Sequence, residues 1–162
     1  KNFNLLARAF SRSNFLKKNF DLICFGGKKF NKKELKFFIQ LKIENNIKHI
    51  SNDDKYLKYL YKSASLLVIT SSIEGFGITL IEAMSMKCPI LVSNIEVFKE
   101  IGKNKVYYFE NNNLEDLIHK TDQILSSTET KEHYLKEAYI ESKKFKWSNC
   151  ASEVLNVYDN IK

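Results

Sequence analysis

The chain has 162 residues, 44% of them apolar and 28% charged, which suits one globular domain with a single core. No apolar run approaches the roughly 18 residues of a membrane-spanning helix, so composition excludes that class. The net charge of +7 is uneven: residues 1–62 hold 15 Lys or Arg against 5 acids (+10), and the remainder holds 11 against 14 (−3). Such asymmetry implies either an anionic partner for the first third (a nucleotide diphosphate, an acidic membrane surface or nucleic acid) or a solvated lysine-rich surface.

Short apolar runs alternate with amphipathic stretches, which predicts repeated helix and strand units. A helix is expected over 2–17, with Leu5, Leu6, Ala9 and Phe10 on one face, then a strand at 21–25 turned by Gly26-Gly27. A helix at 31–44 places Leu35, Phe38, Ile39 and Ile43 inward, and strand 47–50 leads to helix 53–63, which uses Leu57, Leu60 and Tyr61. Strand 66–70, helix 77–86, strand 90–93, helix 95–101, strand 106–109 and helix 114–125 follow. Two further helices are expected at 129–144 and 148–161, after a surface break at Ser126-Ser127-Thr128. The fold class is α/β: about five parallel strands with helices on both faces, joined by right-handed crossovers into one doubly wound, Rossmann-like sheet.

Cys24, Cys88 and Cys150 are odd in number and widely spaced on apparent core elements, as buried thiols in a reducing, cytoplasmic compartment would be. With His49, His119 and His133 scattered, no metal site is expected, and no cofactor. The chain starts Lys1-Asn2-Phe3, within what reads as a helix, without a methionine or a signal-peptide core, and is read as part of a longer protein.

The most informative segment runs from Ser71 to Met84, where Glu74 and Glu82 stand eight positions apart around Gly75-Phe76-Gly77. A buried strand, a glycine turn and a helix in that order bring the turn to the carboxyl edge of a parallel sheet, where ligands bind. The first N–H groups of such a helix point outward unpaired, and the helix dipole favours an anion there. The N–H groups of Phe76, Gly77, Ile78 and Thr79 are therefore candidate diphosphate donors, although structural turn glycines would look the same. Thr79, Glu82 and Ser85 recur every three residues as a polar stripe on an otherwise apolar helix, which is expected to be buried on most sides. Glu82 reaches the hydroxyls of a ribose on this reading; the other is a glutamate satisfied by local N–H groups or a lysine. Gly26-Gly27-Lys28-Lys29 is neither a dinucleotide fingerprint nor a Walker motif and reads as a tight turn with solvated lysines.

The Glu-x7-Glu spacing, the leading Ser71, the run Glu82-Ala83-Met84 and Pro89 beyond it resemble the donor-binding half of retaining glycosyltransferases of the GT-B fold, family 4. The resemblance extends to Asn4–Phe10, Leu22–Gly27, Asp53–Ala64 and Lys146-Trp147-Ser148. It implies that residues 1–162 are the C-terminal, nucleotide-sugar-binding domain, with the helices of 128–162 packed on it. The sheet's first strand and an N-terminal acceptor domain would then lie outside this chain. The resemblance also implies that Glu74 contacts the transferred sugar and acts in catalysis, Lys1 holds the diphosphate, and the backbone at Ser51 meets the nucleobase. The implied activity is retaining transfer of a hexose from a nucleoside diphosphate to a glycan or lipid-linked acceptor, in bacterial surface polysaccharide synthesis. This chain alone is expected to bind the donor without turnover. The setting would be cytoplasmic, with possible peripheral contact to the membrane. No Asp-x-Asp pair is present, so charge neutralisation by lysine and the helix dipole, without a metal, is expected.

Two positions depart from the family pattern: Lys87 replaces a common glycine, and Asn94–Glu100 replaces a Gly-Gly-x-Pro-Glu segment while keeping its last Glu. The alternatives are another GT-B member, such as an epimerase or phosphorylase, a basic nucleic-acid-binding module, or a non-catalytic structural domain. With the donor site as the primary reading, no nucleic-acid partner is expected.

Overall fold

The computed structural model describes residues 1–51, 53–127 and 132–161, with Asp54 described by its backbone alone. Thr128 of the expected surface break, and the start of the helix expected at 129–144, lie outside these residues.

In chain order the elements are α1 (Phe3–Arg12), α2 (Asn14–Asn19), β1 (Leu22–Phe25), α3 (Lys32–Gln40), β2 (Ile47–Ile50) and α4 (Asp54–Ser63). Next come β3 (Leu67–Ile69), α5 (Ile78–Ser85), β4 (Ile90–Ser93), α6 (Glu96–Gly102) and β5 (Tyr107–Phe109). The helices α7 (Leu114–Ser126), α8 (Glu132–Ser142) and α9 (Trp147–Asp159) complete the chain.

All the pairings are parallel, as the alternating pattern predicts. The single continuous sheet, however, is corrected to two ladders. β1 pairs with β2, Leu22 opposite Ile47, and separately β3, β4 and β5 pair in order, Leu67 opposite Ile90 and Leu91 opposite Tyr107. Among the described residues no backbone pairing joins β1 to β3; both line an apolar groove of about 610 Å³.

The β4 run is buried at every position, and its side chains alternate between two cores. Ile90 and Val92 join Leu80, Ala83, Met84, Phe98 and Ile101 on one face, and Leu91 joins Ala9, Phe109, Leu117 and Ile124 on the other. A third cluster, with Ala7, Phe10, Leu16, Phe38, Ile43 and Ile47, supports the first ladder. Each fully buried Leu, Met or Phe contributes roughly 1.5–3 kcal/mol, so the second ladder is held firmly under its carboxyl edge.

Three local outcomes differ from the periodicity. The helix expected over 2–17 divides at Ser13, whose extended backbone caps α2: its hydroxyl accepts from Leu16 N–H at 3.1 Å and donates to Asp122 at 2.8 Å. The helix expected over 31–44 stops at Gln40, because Lys42 turns left-handed (φ 55°) and Ile43 N–H closes back on Phe38 C=O at 3.1 Å. Phe38 and Ile43 are buried, whereas Leu35 and Ile39, expected inward, are 48% and 59% exposed. Cys88 is buried and Cys24 half-buried, but Cys150 is exposed on α9 rather than in a core. Of the two C-terminal helices, α8 packs on α5, bringing Ala138 into the core, while α9 buries none of its residues. Among the described residues no helix is long and apolar enough to cross a membrane.

Candidate functional site

The carboxyl ends of the second ladder are fastened together by short polar side chains. Thr70, buried just past β3, donates its hydroxyl to the carbonyls of Lys1 (3.1 Å) and Asn2 (3.0 Å), which fixes the start of the chain against that edge. Asn112, left-handed at φ 59° beyond β5, accepts from Asn2 at 2.8 Å and from Ser72 at 3.0 Å. The Ser93 hydroxyl, at the end of β4, donates to the Ser71 carbonyl. Three strands thus anchor the loop that carries Glu74.

Gly77 is required for two physical reasons. Its φ is +91°, which L side chains rarely adopt, and a Cβ there would lie 3.2 Å from the buried Phe98 ring. Gly75 shows no comparable constraint: a Cβ there would meet nothing within 4 Å. Gly77 is also the N-cap of α5 and offers no side chain to cap it. Its carbonyl accepts from Leu80 and Ile81, so the N–H groups of Ile78 and Thr79 open the helix without an intrahelical partner. Ile78 is 52% exposed, which corrects the expectation of a helix buried on most sides.

Lys1, Glu74, Phe76, Gly77, Ile78 and Thr79 line one cleft of about 250 Å³. Five predicted site residues from 74–79 are therefore joined by Lys1, which is distant in the chain. The Lys1 ammonium bonds the Glu74 carboxylate. Burial pushes that carboxyl up, but the Lys1 and Ser71 side chains outweigh it and hold it below its ordinary value. The Ser71 hydroxyl is close enough to contribute, yet it makes no well-formed hydrogen bond of its own. Phe76 is half exposed, with its ring edge-on to Phe145 at 6.1 Å.

Glu82 sits one turn further along α5 and lines the larger groove, which shares Thr79 with the cleft. Of the polar stripe, Thr79 and Glu82 are exposed and Ser85 is half-buried. Neither a lysine nor local N–H groups satisfy Glu82 among the described residues; the Tyr61 hydroxyl on α4 donates to its Oε2 at 3.0 Å. Sequence reasoning placed Tyr61 in the core and overlooked that contact. The available signal was the phenol itself, because a buried tyrosine hydroxyl needs a partner.

Two predicted site residues line neither cavity: Gly75, exposed on the loop between Glu74 and Phe76, and Ser51, exposed just past β2 on the first ladder. Gly26 and Gly27, with φ of +77° and +67°, form the expected tight turn, and His49 Nε2 lies 2.9 Å from the Gly26 carbonyl. Lys87 is left-handed at φ 55° and closes α5, with Cys88 N–H bonded to Ala83 C=O at 3.0 Å; this is the geometry in which glycine is the common residue. Phe98, from the segment that departs from the family pattern, underlies Gly77, while Glu100 is exposed and lines neither cavity. Among the described residues no group of three His, Cys, Asp or Glu could hold a metal ion.

Comparisons with known proteins identify the family and the fold. The sequence profile of the family described as glycosyl transferases group 1 matches residues 1–141. The O-antigen chain mannosyltransferase B of Escherichia coli is 30% identical over 105 residues, covering 65% of this chain and 28% of that protein. A glycosyltransferase from Rickettsia africae superimposes with a TM-score of 0.86 at 24% identity, over 99% of this chain and 44% of that one. HepE of Anabaena, solved with UDP and glucose, superimposes at 0.83 with 17% identity, over 99% and 45%. Both structures share the fold, that of GT-B glycosyltransferases. The match spans about a quarter of the length of that mannosyltransferase and of a glycosyltransferase from Methanocaldococcus jannaschii.

Proposed function

Given that the chain belongs to the glycosyl transferases group 1 family, we propose that it is the C-terminal, donor-binding domain of a retaining hexosyltransferase. The acceptor domain would then be formed by the rest of a longer polypeptide. The observation that carries this reading is the uncapped start of α5, opening into a cleft that has Lys1 and Glu74 at its rim.

A diphosphate seated there accepts from the N–H groups of Ile78 and Thr79 and draws Lys1 away from Glu74. The freed carboxylate then faces the transferred sugar and stabilises positive charge on an oxocarbenium-like transition state. The bond from the anomeric carbon to the phosphate oxygen breaks while the acceptor oxygen bonds that carbon on the same face. The acceptor proton passes to the departing phosphate. Glu82 takes the ribose hydroxyls from the adjoining groove, and the backbone at Ser51 lies toward the base.

The mannosyltransferase relative supports a hexose donor and a polysaccharide product, and the UDP-bound fold neighbour supports a nucleoside diphosphate. The setting we propose is cytoplasmic. Membrane contact is favoured by α3, where the exposed Leu35 and Ile39 stand among exposed Lys32, Lys33 and Lys36.

Calorimetric titration with UDP, GDP and ADP, free and sugar-bearing, tests the site. Glu82→Ala should weaken the best ligand at least tenfold, about 1.4 kcal/mol. Unchanged affinity would overturn the assignment. Salt-sensitive binding of DNA or RNA that ignores Glu82→Ala would favour a nucleic-acid module instead.

A further inference from the structure

Resting on that donor-site reading, we propose that Tyr61 is a positioning residue, whose hydroxyl fixes the Glu82 carboxylate in the orientation that recognises the ribose diol. Glu82 is exposed on α5, and a glutamate side chain free in solvent loses rotamer entropy when a ligand orders it. Tyr61 removes part of that freedom before the ligand arrives. Its ring is locked in the core around α5, only 7% exposed, and its hydroxyl reaches out 3.0 Å to Glu82 Oε2.

The bond uses one of the roughly four acceptor positions of a carboxylate. Among the described residues Oε1 has no partner, so it remains available on the groove side. A phenol suits this task better than a lysine would: it orients the carboxylate without neutralising the charge that strengthens a hydroxyl's hydrogen bond. Burial first, and the adjacent Glu82 carboxylate second, push the Tyr61 hydroxyl's pKa upward, so it stays a donor across the physiological range. Tyr61 and Glu82 line the same groove as Thr79, the residue shared with the anion cleft. The device therefore stands one helical turn from the proposed diphosphate seat, where a ribose would lie.

The test compares whichever of UDP, GDP and ADP binds most tightly with its 2′,3′-dideoxy counterpart, in the unsubstituted protein, Tyr61→Phe, Glu82→Ala and the double variant. The unsubstituted protein should favour the ribonucleotide about tenfold, the effect of a hydrogen bond to a charged group. Tyr61→Phe should cut this preference to about threefold while leaving affinity for the dideoxy nucleotide unchanged. In the Glu82→Ala background the Tyr61 substitution should have no further effect. The dideoxy affinity doubles as the folding control, since a general packing defect would weaken both nucleotides equally. Such equal weakening, or an undiminished preference in Tyr61→Phe, would overturn the positioning role alone. Equal binding of the two nucleotides by the unsubstituted protein would overturn the ribose assignment of Glu82, and this inference with it.

Discussion

The chain turns twice from a parallel strand through two glycines into a helix, and the helices that follow begin differently. After β1, Gly26 and Gly27 lead to Asn31, which closes the start of α3 with a full capping box. Asn31 Oδ1 accepts from Lys33 and Glu34 N–H at 2.8 and 3.1 Å, and Glu34 returns a carboxylate to Asn31 N–H at 2.7 Å. After β3, Gly77 begins α5 with no side-chain cap. Both turns carry lysine nearby, and both belong to parallel ladders. What separates them is whether side chains cap the orphan N–H groups: Asn31 caps those of Lys33 and Glu34 on α3, and α5 begins without a side-chain cap.

The contrast can be broken from either side. The largest effect is expected at Gly77→Ala, where a strained φ of +91° and the Phe98 ring at 3.2 Å both oppose the new methyl. Chemical denaturation should show a loss of about 2 kcal/mol, and nucleotide affinity should fall with it. A variant as stable as the parent would mean that the turn does not need glycine. Next comes Asn31→Ala, which should lose about 1 kcal/mol of stability as the capping box opens. The same variant should keep its affinity for UDP, GDP or ADP; a matching loss of affinity would mean that the start of α3, and not α5 alone, holds the diphosphate.

The smallest effect concerns pH. Because the Glu74 carboxyl is held below its ordinary value in the folded chain, its contribution is present above the ordinary carboxylate range and lost as pH falls through the lowered value. The stability difference between the parent and Glu74→Gln should therefore be level above about pH 5 and shrink on acidification. A difference that stays constant down to about pH 3 would show that Lys1 and Ser71 do not hold the carboxylate. High salt should weaken the effect as well, since Lys1 is 74% exposed.

Much of the fold was legible because it rests on short-range pattern. The strand at Ile90–Ser93 is a short run buried at every position, and Leu22–Phe25 is a short apolar run that reads as strand although it is only half-buried. The break at Ser13 was missed because a serine inside an apolar period reads as a tolerated helix residue. Its capping role depends on Asp122, 109 residues away, for part of its support. Leu35 and Ile39 were assigned inward from spacing alone. The left-handed Lys42 then ended the helix early, and Phe38 and Ile43 took the inner positions. The candidate site divided along similar lines: the glutamate spacing and the glycines around Phe76 were visible, and the partners were not. Nothing local to Glu82 indicates a phenol from α4, and nothing near residue 77 points to the ring of Phe98.

By itself the sequence determined the element types, the parallel pairing and the family, because hydrophobic period and the glycine-centred glutamate pair are properties of neighbours along the chain. Tertiary structure alone decided which groups meet around the cleft and the adjoining groove: Lys1 against Glu74, Thr70 on the Lys1 carbonyl, and Tyr61 on Glu82. Those contacts join residues 21 to 73 positions apart, and their geometry is set by how helices and strands pack on a shared core, which no local pattern encodes.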